Sequence, residues 1–134
     1  MKCKNVHSAI VSYEKSLNLF GDDNRSITVL FSLLDCYLEL QNWVKGRESI
    51  SRLEEFLLDE YQKYISLDIE AEIDLWESKF SRGMRNIKKS LKYFKECGSS
   101  NGQLYIFNRL GNFHYLKGDF KKSAEYYRMG RDLI

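Results

Sequence analysis

The sequence predicts an all-α chain of about seven helices. Three observations predict it. Apolar residues recur at three- and four-residue spacing almost throughout, and strand-like alternation is almost nowhere. The 134 residues include no proline and only eight glycines. No apolar run approaches the roughly 20 residues that span a bilayer, so a membrane protein is not expected. With 43% apolar, 14% aromatic and 30% charged residues, the chain can fill a core and keep a charged surface, which argues against intrinsic disorder.

Ile10, Tyr13 and Leu17 mark the first helix, stopped by Gly21-Asp22-Asp23-Asn24. A second runs from about Arg25 to Leu40 on Val29, Leu30, Leu33, Leu34 and Tyr37, and Gln41-Asn42 turns the chain. Trp43 opens a third, carrying Ile50, Leu53 and Leu57. The fourth is expected from about Tyr61 to Phe80, on the stripe Tyr61, Ile65, Ile69, Ile73, Trp76 and Phe80, with Ser81-Arg82-Gly83-Met84 breaking it. Ile87, Leu91 and Phe94 give a fifth that ends near Gly98-Ser99-Ser100. The sixth spans Leu104 to Leu116, Lys117-Gly118-Asp119 turns, and Phe120 to Ile134 completes the set. Connections this short make successive helices antiparallel neighbours.

Net charge is only +2, but charge is segregated. Glu48 to Glu77 holds ten acids and two bases, whereas Ser78 to Lys95 holds seven bases and no acid. Arg85, Lys88, Lys89, Lys92 and Lys95 fall on the side of the fifth helix opposite Ile87, Leu91 and Phe94. They should form a positive outer stripe: a solvated face, a surface for an acidic partner, or a face paired with the neighbouring acidic helix. Nucleic acid is not the expected partner.

Chemistry-bearing residues are sparse. Cys3, Cys36 and Cys97 are odd in number and far apart, matching neither a disulfide framework nor a zinc spacing. They read as small apolar fillers in a reduced, cytoplasmic chain. The N-terminus lacks a clean secretory signal. His7 and His114 have no evident triad partner, and no phosphate loop or metal spacing is present. No catalytic residue, metal site or cofactor is expected, and the chain reads as a non-enzyme.

Self-comparison then separates a closed bundle from a solenoid. The last helix pair reads Phe107, Leu110-Gly111, His114, Gly118-Asp119-Phe120, Ser123, Tyr127 and Gly130. This closely resembles a tetratricopeptide repeat, with His114 where the family usually has tyrosine. Gly111 and Ser123 are small where the two helices would cross, with Phe107, Leu110, Phe120 and Tyr127 filling the space around them. Residues 25–60 repeat the pattern more loosely through Leu33-Leu34, Tyr37, Gln41-Asn42-Trp43, Gly46, Ile50 and Leu53, with Leu34 replacing the first-helix glycine. Residues 1–22 look like a half repeat, and 61–98 like a divergent repeat with Gly83 and a longer first helix. With 101–134 these make one domain.

The resemblance implies antiparallel helix pairs stacked in a right-handed superhelix, whose first helices line a concave groove for a peptide or protein segment. Matching positions are Thr28, Phe31, Asp35 and Leu38; Glu70, Ile73, Asp74 and Glu77; and Tyr105, Asn108, Arg109, Asn112 and Tyr115. Asn108 and Asn112 lie one turn apart, and their amides both donate and accept, which suits peptide backbone. Asp35, Glu70, Asp74 and Glu77 would make part of the groove acidic. Arg109 alone does not supply the carboxylate clamp of chaperone-binding members. The expected function is a non-catalytic peptide-binding scaffold. The alternatives are the peptide-sensing part of a bacterial regulator of the same repeat type, or a structural module. A helix without its partner at the start suggests a piece of a longer array, or terminal helices that self-associate.

Overall fold

Four of the turns use one backbone device. At Gln41, Ser78, Gly98 and Gly118 the chain takes a positive φ of 55°, 65°, 73° and 84°, and the following amide bonds back to a carbonyl five residues earlier. Asn42 N donates to Tyr37 O, Lys79 N to Asp74 O, Ser99 N to Phe94 O and Asp119 N to His114 O, at 2.7 to 2.9 Å. This is the Schellman closure, which satisfies carbonyls left open at a helix end. The next helix then opens within two residues.

The computed structural model describes residues 5–133, and its regular structure there is all helical. The helices are α1 (Val6–Phe20), α2 (Arg25–Glu39), α3 (Trp43–Glu54), α4 (Glu60–Trp76), α5 (Phe80–Glu96), α6 (Ser100–Leu116) and α7 (Phe120–Arg131). Side-chain oxygens of Asn5, Asn42, Ser99 and Asp119 accept from amides of the first turn that follows. Ahead of α4, Asp59 and Gln62 cap each other reciprocally, at 2.7 and 3.0 Å. The chain forms two compact units, the first ending at Gln62 and the second starting at Lys63.

In the first unit, α1 and α3 both pack on α2. Leu30, Leu33, Leu34, Ile50 and Leu53 are buried at the centre. The Ser26 hydroxyl donates to Gly21 O at 2.9 Å and ties the end of α1 to the start of α2. Arg52 of α3 meets Glu14 of α1 at 3.1 Å.

In the second unit the core is Ala71, Leu75, Ile87, Phe94, Ile106, Leu110 and Phe113. Small residues set the helix spacing. A Cβ on Gly83 of α5 would stand 3.0 Å from Ala71 O on α4, and the Ser123 hydroxyl of α7 donates to Gly111 O on α6 at 2.8 Å. Between α5 and α6, Gly102 lies flat on the Phe94 ring, where a Cβ would come within 2.4 Å. Tyr64 and Tyr93 stack at 4.1 Å, and the Ser90 hydroxyl donates to Tyr64 O at 3.3 Å.

Four expectations change. Helix α4 stops at Trp76 rather than Phe80, and Gly83 lies inside α5 instead of breaking a helix. The apolar stripe continues across the turn because Phe80 opens α5. Helix α6 begins at Ser100, four residues early, because Ser99 caps it and Gly102 is a packing glycine. Phe120 is exposed and packs on Tyr115 at 5.5 Å, while Tyr127 lies over Gly111 with its outer edge in solvent. These two rings border the crossing without burying it.

Candidate binding face

The register of α4 decides which side chains it presents. Because α5 starts at Phe80, Gly83 crosses α4 at Ala71, Asp74 and Leu75. Asp74 is therefore in the α4–α5 seam, fully buried, with its carboxylate gripped through both oxygens by Arg82. Ile73 is equally buried, Glu70 is half-buried, and Glu77 is half-buried with Lys79 at 3.5 Å. The expected open acidic face at Glu70, Asp74 and Glu77 is thus corrected: its central carboxylate is consumed within the fold.

Asp68 and Glu72, one turn apart, are the acids that α4 turns toward α6. Arg109 holds both, its Nε 3.1 Å from Asp68 Oδ2 and its Nη1 3.4 Å from Glu72 Oε2. Burial pushes the Asp68 carboxyl up to about 6; Arg109 pulls it down and Glu72 pushes it further up. Arg109 also lies against the Tyr105 ring, 5.6 Å from its centre. Its guanidinium is a tie between α4 and α6, not an open groove cation.

The remaining side chains of α6 form a free row. Tyr105 and Tyr115 are 55% and 56% exposed, and Asn108 and Asn112 are exposed between them. At 1.5 Å per residue the row runs about 15 Å. Among the described residues neither asparagine amide makes a hydrogen bond. Asn108 borders Gly130 of α7, its Oδ1 3.6 Å from where a Cβ would stand. Two amides that donate and accept, flanked by tyrosine rings, can hold extended backbone and cover apolar side chains.

In the first unit, Asp35 is exposed on α2 with Thr28, and Phe31 and Leu38 are half-buried. On α5, Arg85, Lys88, Lys89, Lys92 and Lys95 are all exposed, opposite buried Ile87 and Phe94. Lys92 approaches Glu96 at 4.0 Å; the other four make no ion pair among the described residues.

His114 is half-buried, stacked on Tyr126 at 5.5 Å and edge-on to Phe113. Burial and nearby Lys122 hold its pKa below the usual imidazole value. Cys36 is buried as a filler, whereas Cys97 is exposed at the C-cap of α5, where the helix surface has already turned outward. Cys3 lies outside the described residues. Among the described residues no cluster of His, Cys, Asp and Glu is placed to hold a metal, and no helix is long and apolar enough to cross a membrane.

The Asp68 and Glu72 contacts are not legible in the apolar stripe because that stripe runs on through Phe80, past the turn that ends α4 at Trp76. Once Ser78-Lys79-Phe80 is aligned with Gly118-Asp119-Phe120, Ala71 falls opposite Gly111, and Asp68 and Glu72 opposite Asn108 and Asn112. No family model, curated protein or solved structure matches the chain.

Proposed function

We propose that the chain is a non-catalytic scaffold of the tetratricopeptide type, which holds an extended peptide or protein segment against the first helices of its pairs. The observation that carries this reading is the recurrence of one crossing. In α4–α5 a small residue of the second helix meets the Ala71 carbonyl of the first, and in α6–α7 another meets the Gly111 carbonyl. That is the close approach the repeat family uses to pair its helices. Successive pairs joined this way would stack into a right-handed superhelix, and the expected setting is the cytoplasm.

Within this reading the ligand lies along α6. Tyr105, Asn108, Asn112 and Tyr115 are exposed on one face, and the two amides make no hydrogen bond among the described residues. Arg109 contributes by fixing α6 against α4 beneath that row.

The test selects peptides from a random display library on the intact chain and measures their affinity by calorimetry. The double variant Asn108→Ala/Asn112→Ala should bind a selected peptide at least about tenfold more weakly, since a net hydrogen bond contributes about 0.5–1.5 kcal/mol. Its melting temperature should stay within a degree or two of the parent, because both side chains are exposed. Unchanged affinity for the selected peptide would rule out this face as the site.

A further inference from the structure

We propose that the basic face of α5 docks the acidic α3–α4 connection of a second copy of this chain. Arg85, Lys88, Lys89 and Lys95 are exposed and make no ion pair among the described residues. The face runs about 15 Å from Arg85 to Lys95 at the helical rise. Its match is Glu54, Glu55, Asp59 and Glu60, also exposed and without an ion pair among the described residues. Four unpaired cations thus match four acids without an ion pair among the described residues, Asp59 also capping the start of α4, on a segment of comparable reach.

Two features set this segment apart from an ordinary solvated turn. Glu54 and Glu55 sit at the C-terminal end of α3, where carboxylates oppose the helix dipole, and Arg52, the base of that last turn, is engaged by Glu14 of α1. Between the acid pairs, Leu57 is 92% exposed, the most exposed large apolar side chain among the described residues. A partner surface would relieve the first cost and cover the second.

Because the two patches differ, the contact is head-to-tail, and it propagates into open chains unless its rotation closes a ring. The attraction is between exposed charges, so it should be weak individually and strongly screened by salt.

Sedimentation velocity of the intact chain over a concentration series in low salt is expected to show average mass rising with concentration. In about 1 M salt, where the Debye length falls to about 3 Å, the association constant should drop at least about tenfold. Lys88→Glu/Lys89→Glu and Glu54→Lys/Glu55→Lys, each checked for native helicity, should each be monomeric. Mixed one to one, they should associate again, since each supplies the charge the other has lost. A wild-type chain that stays monomeric at high concentration in low salt overturns the proposal. So does association that resists salt, survives either reversal, or fails to return in the mixture.

Discussion

Arg109 on α6 reaches to α4 and holds the Asp68 carboxylate at 3.1 Å, with Asp68 2% and Arg109 15% exposed. The pairing does not fully offset the burial, so Asp68 titrates at about 6 in the folded chain against 3.8 unfolded. Between about pH 4 and pH 6 the folded state therefore holds a proton that the unfolded state has released. The Asp68 contribution makes the protein more stable as pH falls through that window and less stable as it rises. The span is on the order of 2–3 kcal/mol. Urea unfolding of the wild type and of Asp68→Asn across this window checks it: the difference should move in favour of the wild type toward the acid end. Parallel curves would mean that Asp68 titrates alike in both states.

Arg109→Met keeps an apolar stem and removes the charge, leaving Asp68 and Glu72 as neighbouring acids without their cation. Breaking a buried pair from one side costs on the order of 3–5 kcal/mol. The loss should be largest at neutral pH and shrink toward about pH 5, as Asp68 takes up its proton. Thermal melts at the two pH values measure this. An equal loss at both would assign the effect to packing.

The contrast between Arg109 and Asn112 shows what sequence patterning can reach. Helix order follows from spacing, where three- and four-residue periods report which face is buried, and the Gly111–Ser123 crossing and the outward positions of Asn108 and Asn112 follow from the resemblance of the last helix pair to a tetratricopeptide repeat. The turn after Trp76 was hidden because its left-handed position is Ser78, not glycine, and because Phe80 extends the apolar stripe across it. Gly83, the visible glycine, marks a helix crossing instead. That displaced register carried the predicted acidic face onto Asp74, which Arg82 occupies. The Arg109 tie depends on a helix two elements earlier, and no local period records it.

Two glycines of α6 should respond to alanine to different degrees. At Gly102 the new methyl would stand 2.4 Å from ring carbons of Phe94, which is fully buried and cannot move aside. Gly102→Ala should destabilise by about 1–3 kcal/mol, as overpacking does. At Gly111 the obstacle is the Tyr127 ring at 2.8 Å, but Tyr127 is 42% exposed and can swing outward. The better helix propensity of alanine, about 0.8–1 kcal/mol, then offsets the crowding, and Gly111→Ala should be nearly neutral. Chemical denaturation of both variants checks the order. Equal losses would show that Tyr127 is held as firmly as Phe94.

Gln41 and Ser78 hold the left-handed position that Gly98 and Gly118 hold in the equivalent turns. A side chain there costs roughly 1–2 kcal/mol, and glycine gives back roughly 0.5–1 kcal/mol through its freer unfolded state. Gln41→Gly and Ser78→Gly should therefore each stabilise by up to about 1 kcal/mol. The converse changes, Gly98→Ala and Gly118→Ala, meet no neighbouring atom within 4 Å, so the whole of their expected loss of up to about 1 kcal/mol is backbone strain. Thermal unfolding of the four variants should split them by sign. A loss at Gln41→Gly would mean that its side chain contributes more than its backbone conformation costs.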